Sequence, residues 1–430
     1  MRASTGNVSR WPGLASSGEK AWLATFGFLA LAAAGCTGTA VRNFPAERAA
    51  SHAPATSSAV RGQLKSFLVE DARRRWSFST RALDRPGLDE LSGYAQVEIG
   101  GLGSQALYCF VYEQPLDPGR AIARFLAVAE EGIEFERLEL LAVEQAAAEP
   151  LLFFRAPYAP LNGSDEQPGV LNLALRVGAE FPVLCSHDEV GEGAAFRKRV
   201  REAMSEFVVA AKMHAGPTRM EIWRGRHGAA LRGVRIFRQW SLDAAVTTSI
   251  VSTSTFFFQQ GLRTRDEALV EVEDQAGLRK SELVILSGER LRTRVVLLRD
   301  DRKSAQNQQR FRYQGLVGGL QVAGAFEWPE PLSSSRAVWV RSGGDLSAAR
   351  QLWLYQPLLR VDAPVQVVIE SSEDRILSGR WGIDLQQQVR VELDAELFPQ
   401  HVVLDESEVP DWERIHVSSK ATAPQPSEAP

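Results

Sequence analysis

Most residue types that announce chemistry are scarce in this 430-residue chain, which has three cysteines and six histidines. His52, His187, His214, His227, His401 and His416 are scattered, with no HxH, HxxxH or HExxH spacing. A metal site would have to be assembled wholly by tertiary folding. No metal or cofactor is therefore expected. Neither charge dominates: 49 basic side chains stand against 53 acidic ones, for a net charge of −4. That balance gives no electrostatic footprint for nucleic acid and no polybasic membrane patch. After residue 35 no apolar run is long enough to cross a bilayer.

One stretch does stand out. Ala21–Cys36, AWLATFGFLALAAAGC, is an apolar run ending in small residues and a cysteine. Arg2, Arg10 and Lys20 precede it against a single acid, Glu19. The 15 residues from Ala21 to Gly35 suit the apolar core of a signal peptide and are short for a membrane span. Ala33-Ala34-Gly35 offers the small side chains that a signal peptidase groove needs. The pattern resembles the lipobox of bacterial lipoproteins, in which the cysteine is lipidated and becomes the new N-terminus. By that resemblance Cys36 carries acyl chains and tethers the protein to a membrane. Residue 37 is Thr rather than the Asp of inner-membrane retention, so the resemblance implies the outer membrane, facing the periplasm. An uncleaved anchor, or an ordinary signal peptide that leaves Cys36 as a free thiol, is the competing reading.

Composition divides the rest. Residues 1–35 read as a signal peptide, 36–62 as the lipidated cysteine and a flexible Ala/Ser/Thr/Pro-rich tether, and 417–430 as a disordered tail. Residues 63–213 alternate β-like runs with two helical patterns. Asp117 and Pro118 open the first helix. The second, Ala194–Ala211, places Phe196, Val200, Met204, Phe207 and Ala211 on one face. Strands, helix, strands, helix predicts an α+β unit, and the order resembles the small α/β sandwich of PsbP and Mog1-like proteins. In residues 219–408 helical periodicity nearly vanishes and short β-like runs recur, among them Ala337–Arg341, Val365–Glu370, Arg380–Leu385 and Gln388–Asp394, which predicts an antiparallel β domain, half-barrel or sandwich. Its neighbourhood holds seven of the ten tryptophans: Trp223, Trp240, Trp328, Trp339, Trp353, Trp381 and Trp412. A long meander rich in inward aromatics, hung from a lipid anchor, resembles the half-barrels of lipoprotein carriers such as LolA and LolB. Tryptophans that merely fill a core are the plainer explanation.

Four further features bear on chemistry. Cys109 and Cys185 both lie in apolar β-like runs, and export would allow a disulfide between them; two separate buried thiols are the alternative. Cys185 and His187 share a strand face, with Asp188 adjacent, but nothing resembles the local signature of a cysteine hydrolase. Gly315–Gly324 lacks the Lys-Ser/Thr of a phosphate loop, and its glycines suit bulges or tight bends. Arg73-Arg74-Arg75 and Arg290–Arg302 are basic, and Arg290, Arg292 and Arg294 share one strand face, which reads as a solvated surface or one meeting anionic envelope groups. The sequence thus predicts a non-enzymatic envelope lipoprotein whose β-rich part binds a hydrophobic ligand or an envelope component. A structural or assembly partner without a ligand cavity is the alternative.

Overall fold

The computed structural model describes residues 65–70, 76–82, 88–91, 94–99, 107–112, 121–122, 125–126, 133–146, 149–160, 168–177, 182–188, 194–209, 217–228, 230–242, 247–258, 263–287, 290–300, 308–334, 350–373, 375–395, 398–404 and 410–419. Among them are 25 strands and one continuous helix. No helix of the described residues is long and apolar enough to cross a membrane. The expected signal segment 1–35, the segment 36–62 with Cys36, and Arg73–Arg75 lie outside the described residues.

The first part opens with β1 (Lys65–Glu70), β2 (Trp76–Ala82), β3 (Leu88–Leu91), β4 (Tyr94–Ile99) and β5 (Leu107–Tyr112). β6 (Ile133–Phe135), β7 (Glu139–Ala146), β8 (Glu149–Pro160), β9 (Gly169–Arg176) and β10 (Val183–Asp188) follow, then helix α1 (Ala194–Ser205) and β11 (Phe207–Val209). β1, β2 and β11 form a three-stranded antiparallel sheet; β3 to β10 form an eight-stranded one with β5 beside β10. Strand β5, LYCFVY, is buried on both faces, as its nearly unbroken apolar run requires. Leu107, Cys109 and Val111 join a core with Trp76, Phe78, Phe153, Phe196 and Phe207. On the opposite face Phe110 meets Phe125 at 5.1 Å, and the Tyr112 hydroxyl donates to the Ala121 carbonyl at 3.1 Å. Helix α1 buries Phe196, Val200, Ala203 and Met204, the spacing of one helical stripe.

These sheets overturn the expected fold class. Residues 63–213 are not an α+β unit built as an α/β sandwich; the chain is mostly β, with large antiparallel sheets and one continuous helix among the described residues. The helix expected over Ala194–Ala211 stops at Ser205, where the Glu206 N–H bonds the Ala203 carbonyl at 3.1 Å and tightens the last turn. Phe207 then pairs with Phe78 on β2, their rings 4.6 Å apart. An apolar side chain at the end of a helical stripe can equally be the first inward residue of a strand, so periodicity identified the buried residue and missed its backbone. Of the helix expected after Asp117, the described residues Ala121, Ile122, Phe125 and Leu126 are helical and buried.

The second part is one 14-stranded antiparallel sheet. It comprises β12 (Arg219–His227), β13 (Ala230–Leu242), β14 (Thr247–Phe258), β15 (Arg263–Asp274), β16 (Gly277–Ser287), β17 (Arg290–Asp300) and β18 (Gln309–Val317). β19 (Leu320–Trp328), β20 (Arg350–Leu354), β21 (Val365–Glu373), β22 (Ile376–Gly382), β23 (Gln387–Leu393), β24 (Pro399–Leu404) and β25 (Asp411–Ser419) complete it. β12 sits between β13 and β25, so the chain runs outward to β19 at one edge and returns inward from β20 at the other. β25 lies beyond the expected boundary at 408 and takes in the first three residues of the expected tail, Val417, Ser418 and Ser419. The expected run Arg380–Leu385 is also corrected: β22 ends at Gly382, and Leu385 has φ 54° in the turn that follows. The run expected at Ala337–Arg341 lies outside the described residues.

Strand β20 separates two apolar clusters. Leu352 and Leu354 join Val365, Val367, Ile369, Leu377, Val389, Val391 and Leu393. Trp353, on the opposite face, joins Phe311, Phe326, Trp328 and Tyr355, with its ring 4.6 Å from that of Trp328. Pro331–Ser334 fastens this seam: the Leu278 N–H bonds the Leu332 carbonyl at 2.7 Å, and the Ser333 N–H bonds the Trp353 carbonyl at 2.9 Å.

Candidate functional site

Cys109 and Cys185 are direct cross-strand partners on β5 and β10, fully buried and joined in a disulfide. A bridged sulfur has no thiolate to attack a substrate. His187 lies two residues on and stacks on Phe196 at 6.2 Å, inside the same core, while Asp188 pairs with Leu171 at the strand's end. Cys185 and His187 are thus buried around a bridge and do not form an exposed dyad.

The other sequence candidates are dispersed. Among the described residues no three His, Cys, Asp or Glu side chains gather to hold a metal. Gly318 and Gly319, at φ 56° and 90°, are the two-residue turn joining β18 to β19, where positive φ at both positions favours glycine. Gly315–Gly324 is therefore a hairpin. On β17, Arg290 and Arg292 are exposed, Arg294 is held by Glu282 at 3.0 Å, and Arg299 pairs with Asp274. The tryptophans do not line one space. Trp328 and Trp353 pack at the seam, Trp381 borders the apolar cluster of β20 to β23, and Trp223 and Trp412 sit mid-sheet; Trp339 lies outside the described residues.

The densest polar constellation is that mid-sheet region, on the sheet face shared by odd-numbered residues of β12 and β13. Gly225 and Gly233 are paired partners there, and Trp412 of β25 fills the space their missing side chains leave. The Arg235 guanidinium lies 4.1 Å from the Trp412 ring centre, and its Nε donates to the Ser254 hydroxyl at 2.8 Å. Phe256 meets Trp412 edge-on at 5.8 Å, and Arg265 pairs with Glu267. One turn of pleat away, Glu221 accepts from Arg219 Nε at 2.7 Å and from Trp223 Nε1 at 3.1 Å. Arg414 approaches Glu221 at 3.7 Å and pairs with Asp394, while Arg219 caps the Phe398 ring at 3.8 Å. Buried arginines of this kind combine carboxylate pairing with stacking on aromatic faces.

Arg235 differs from its neighbours. Its hydrogen bond goes to a neutral hydroxyl, and burial lowers its pKa against the opposing pull of Glu267. Beside this belt the apolar cluster leaves Leu352, Leu359, Trp381, Val402 and Leu404 partly open. Ile383, just past β22, is exposed by 51%. The face thus joins an apolar area to a guanidinium that has no carboxylate hydrogen-bonded to it among the described residues.

Sequence reading did not find this belt. Arg235 sits in VRIFRQW, where Val234 and Ile236 on one face and Phe237 on the other make both faces look buried. The available signal was charge at inward positions of the neighbouring strands β12, β13 and β15: Glu221, Arg235 and Glu267. No protein-family model matches the chain, and comparison with curated proteins gives no match either.

Proposed function

We propose that this chain is an envelope lipoprotein, anchored through lipidated Cys36 in the outer membrane, whose large sheet binds a hydrophobic ligand or an envelope component. Cys36 supports the anchor through its sequence context alone. The observation that carries the binding reading is the partly open apolar rim of Leu352, Trp381, Val402 and Leu404 on the same sheet as Arg235. Such a surface suits an amphiphile, with its apolar part against the rim and its polar end toward the guanidinium. No catalytic step is assigned to it.

Intact mass spectrometry of membrane-extracted protein tests both parts. A chain beginning at Cys36 with diacylglyceryl and acyl mass is expected, and native-condition spectra should carry a co-purifying amphiphile that Arg235→Met loses. An unlipidated full-length mass would overturn the anchor. Ligand-free spectra for wild type and variant alike would overturn the binding reading.

A second reading, a structural or assembly partner with no ligand cavity, is favoured by one observation: β19 is largely exposed along its whole length, with Leu320 exposed by 75%.

A further inference from the structure

The two edges of the large sheet are finished differently. At β20, Pro331–Ser334 covers the free edge, with Ser333 bridging Leu354 in parallel. At β19, no described strand pairs with the outer side. Leu320, Gln321, Ala323, Gly324, Ala325 and Glu327 are all exposed. A bare edge offers N–H and C=O groups to another strand, and proteins ordinarily blunt it with lysine, proline or a bulge. β19 has none of these: it pairs with β18 without a register shift and carries one charge, Glu327.

The sequence of the strand indicates its occupant. LQVAGAFEW is an approximate palindrome about Gly324. Leu320 mirrors Trp328, Gln321 mirrors Glu327, Val322 mirrors Phe326, and Ala323 mirrors Ala325. The two-residue turn closes on the Val317–Leu320 pair, so Gln321, Ala323, Ala325 and Glu327 direct their N–H and C=O groups away from β18. Antiparallel pairing about a two-fold axis at Gly324 sets Ala323 opposite Ala325 of a second copy, and Gln321 opposite its Glu327. Every outward backbone group then meets an outward partner. The same register aligns Leu320 with Trp328 and Val322 with Phe326 on the other set of positions. Gly324 opposes Gly324, each already crossed by Tyr313, whose hydroxyl takes the place a Cβ would need. A two-fold axis at Glu327 would instead oppose two carboxylates.

We propose that β19 is a homodimerisation edge, joining two copies of this chain by antiparallel β19–β19 pairing about Gly324. The interface is isologous and closed, as a two-fold dimer requires. It rests on neither the anchor nor the ligand reading.

Sedimentation velocity of the full chain in mild detergent, over a wide concentration range, tests it with three variants. Ala323→Pro removes an outward N–H and leaves the ladder to β18 intact. Gln321→Glu opposes Glu327 across the two-fold axis, and Gln321→Lys complements it. Each charge pair occurs twice, so the dimer Kd should rise about fivefold with glutamate and fall about fivefold with lysine. Ala323→Pro should give monomers with an unchanged circular dichroism spectrum. A chain that is monomeric throughout, or a dimer indifferent to all three changes, overturns the proposal. So does a dimer that both charge changes weaken equally, since that places the partner strand in another register.

Discussion

A Cβ at Gly233 would lie 2.9 Å from Cη2 of Trp412 and 3.1 Å from the Thr255 carbonyl oxygen. The indole is seated on a glycine pair, Gly225 and Gly233, and is only 2% exposed. Gly233→Ala should therefore destabilise the sheet by about 1–3 kcal/mol through overpacking. Trp412→Phe removes the ring atoms in question, so the double variant should lose less than the sum of the singles. Urea unfolding of all four proteins measures the coupling. Additive losses would mean that the ring does not rest on the glycine.

Glu221 is the hub beside that pair. It is 3% exposed and takes hydrogen bonds from Arg219 and Trp223 with Arg414 near at hand. Glu221→Ala leaves buried guanidinium groups short of counter-charge and should cost about 3–5 kcal/mol. The denaturation midpoint should fall accordingly. A loss below about 1 kcal/mol would place this carboxylate among weakly contributing surface pairs.

The large sheet was readable because runs such as Val365–Glu370 and Gln388–Asp394 combine β-branched residues with alternation, and these fall in β21 and β23. β25 escaped because DWERIHVSS places charge on either side of its apolar residues and precedes a Pro/Ser-rich tail. Its inward side chain, Trp412, is explained by Gly225 and Gly233, far earlier in the chain, a relationship no local window contains. The fold class failed for a similar reason. Phe207 satisfies a helical stripe locally, and only its pairing with Phe78 makes it a strand residue.

The Cys109–Cys185 bridge closes a loop of 76 residues in sequence. In the chain-entropy account such a loop contributes at most about 4.5 kcal/mol through the unfolded state. Reduction under partly denaturing conditions should lower the melting temperature of wild type and leave Cys109→Ala/Cys185→Ala unmoved. Intact mass should rise by about two daltons on reduction, as two thiols replace the bridge. A melting temperature insensitive to reductant, with both thiols already alkylatable after unfolding without it, would remove the bridge from the account.

His416 on β25 gives stability a pH dependence near neutrality. Burial lowers its pKa below the ordinary 6.5, and its Nε2 has no hydrogen-bond partner. The folded chain therefore resists the proton that the unfolded chain accepts. Stability is complete above about pH 6.5 and falls as the pH drops through the interval below it. Glu413 shifts in the same direction for another reason. The hydrogen bond from Arg224 at 2.6 Å, with the nearby positive charges, holds its carboxyl below 4.5, so its contribution is lost only in stronger acid. Unfolding free energies measured from about pH 8 to about pH 2 should thus show two separate declines. His416→Gln should abolish the upper one and spare the lower, whereas Arg224→Met should reduce the lower and spare the upper. If His416→Gln leaves the upper decline in place, the titrating group lies elsewhere in the chain.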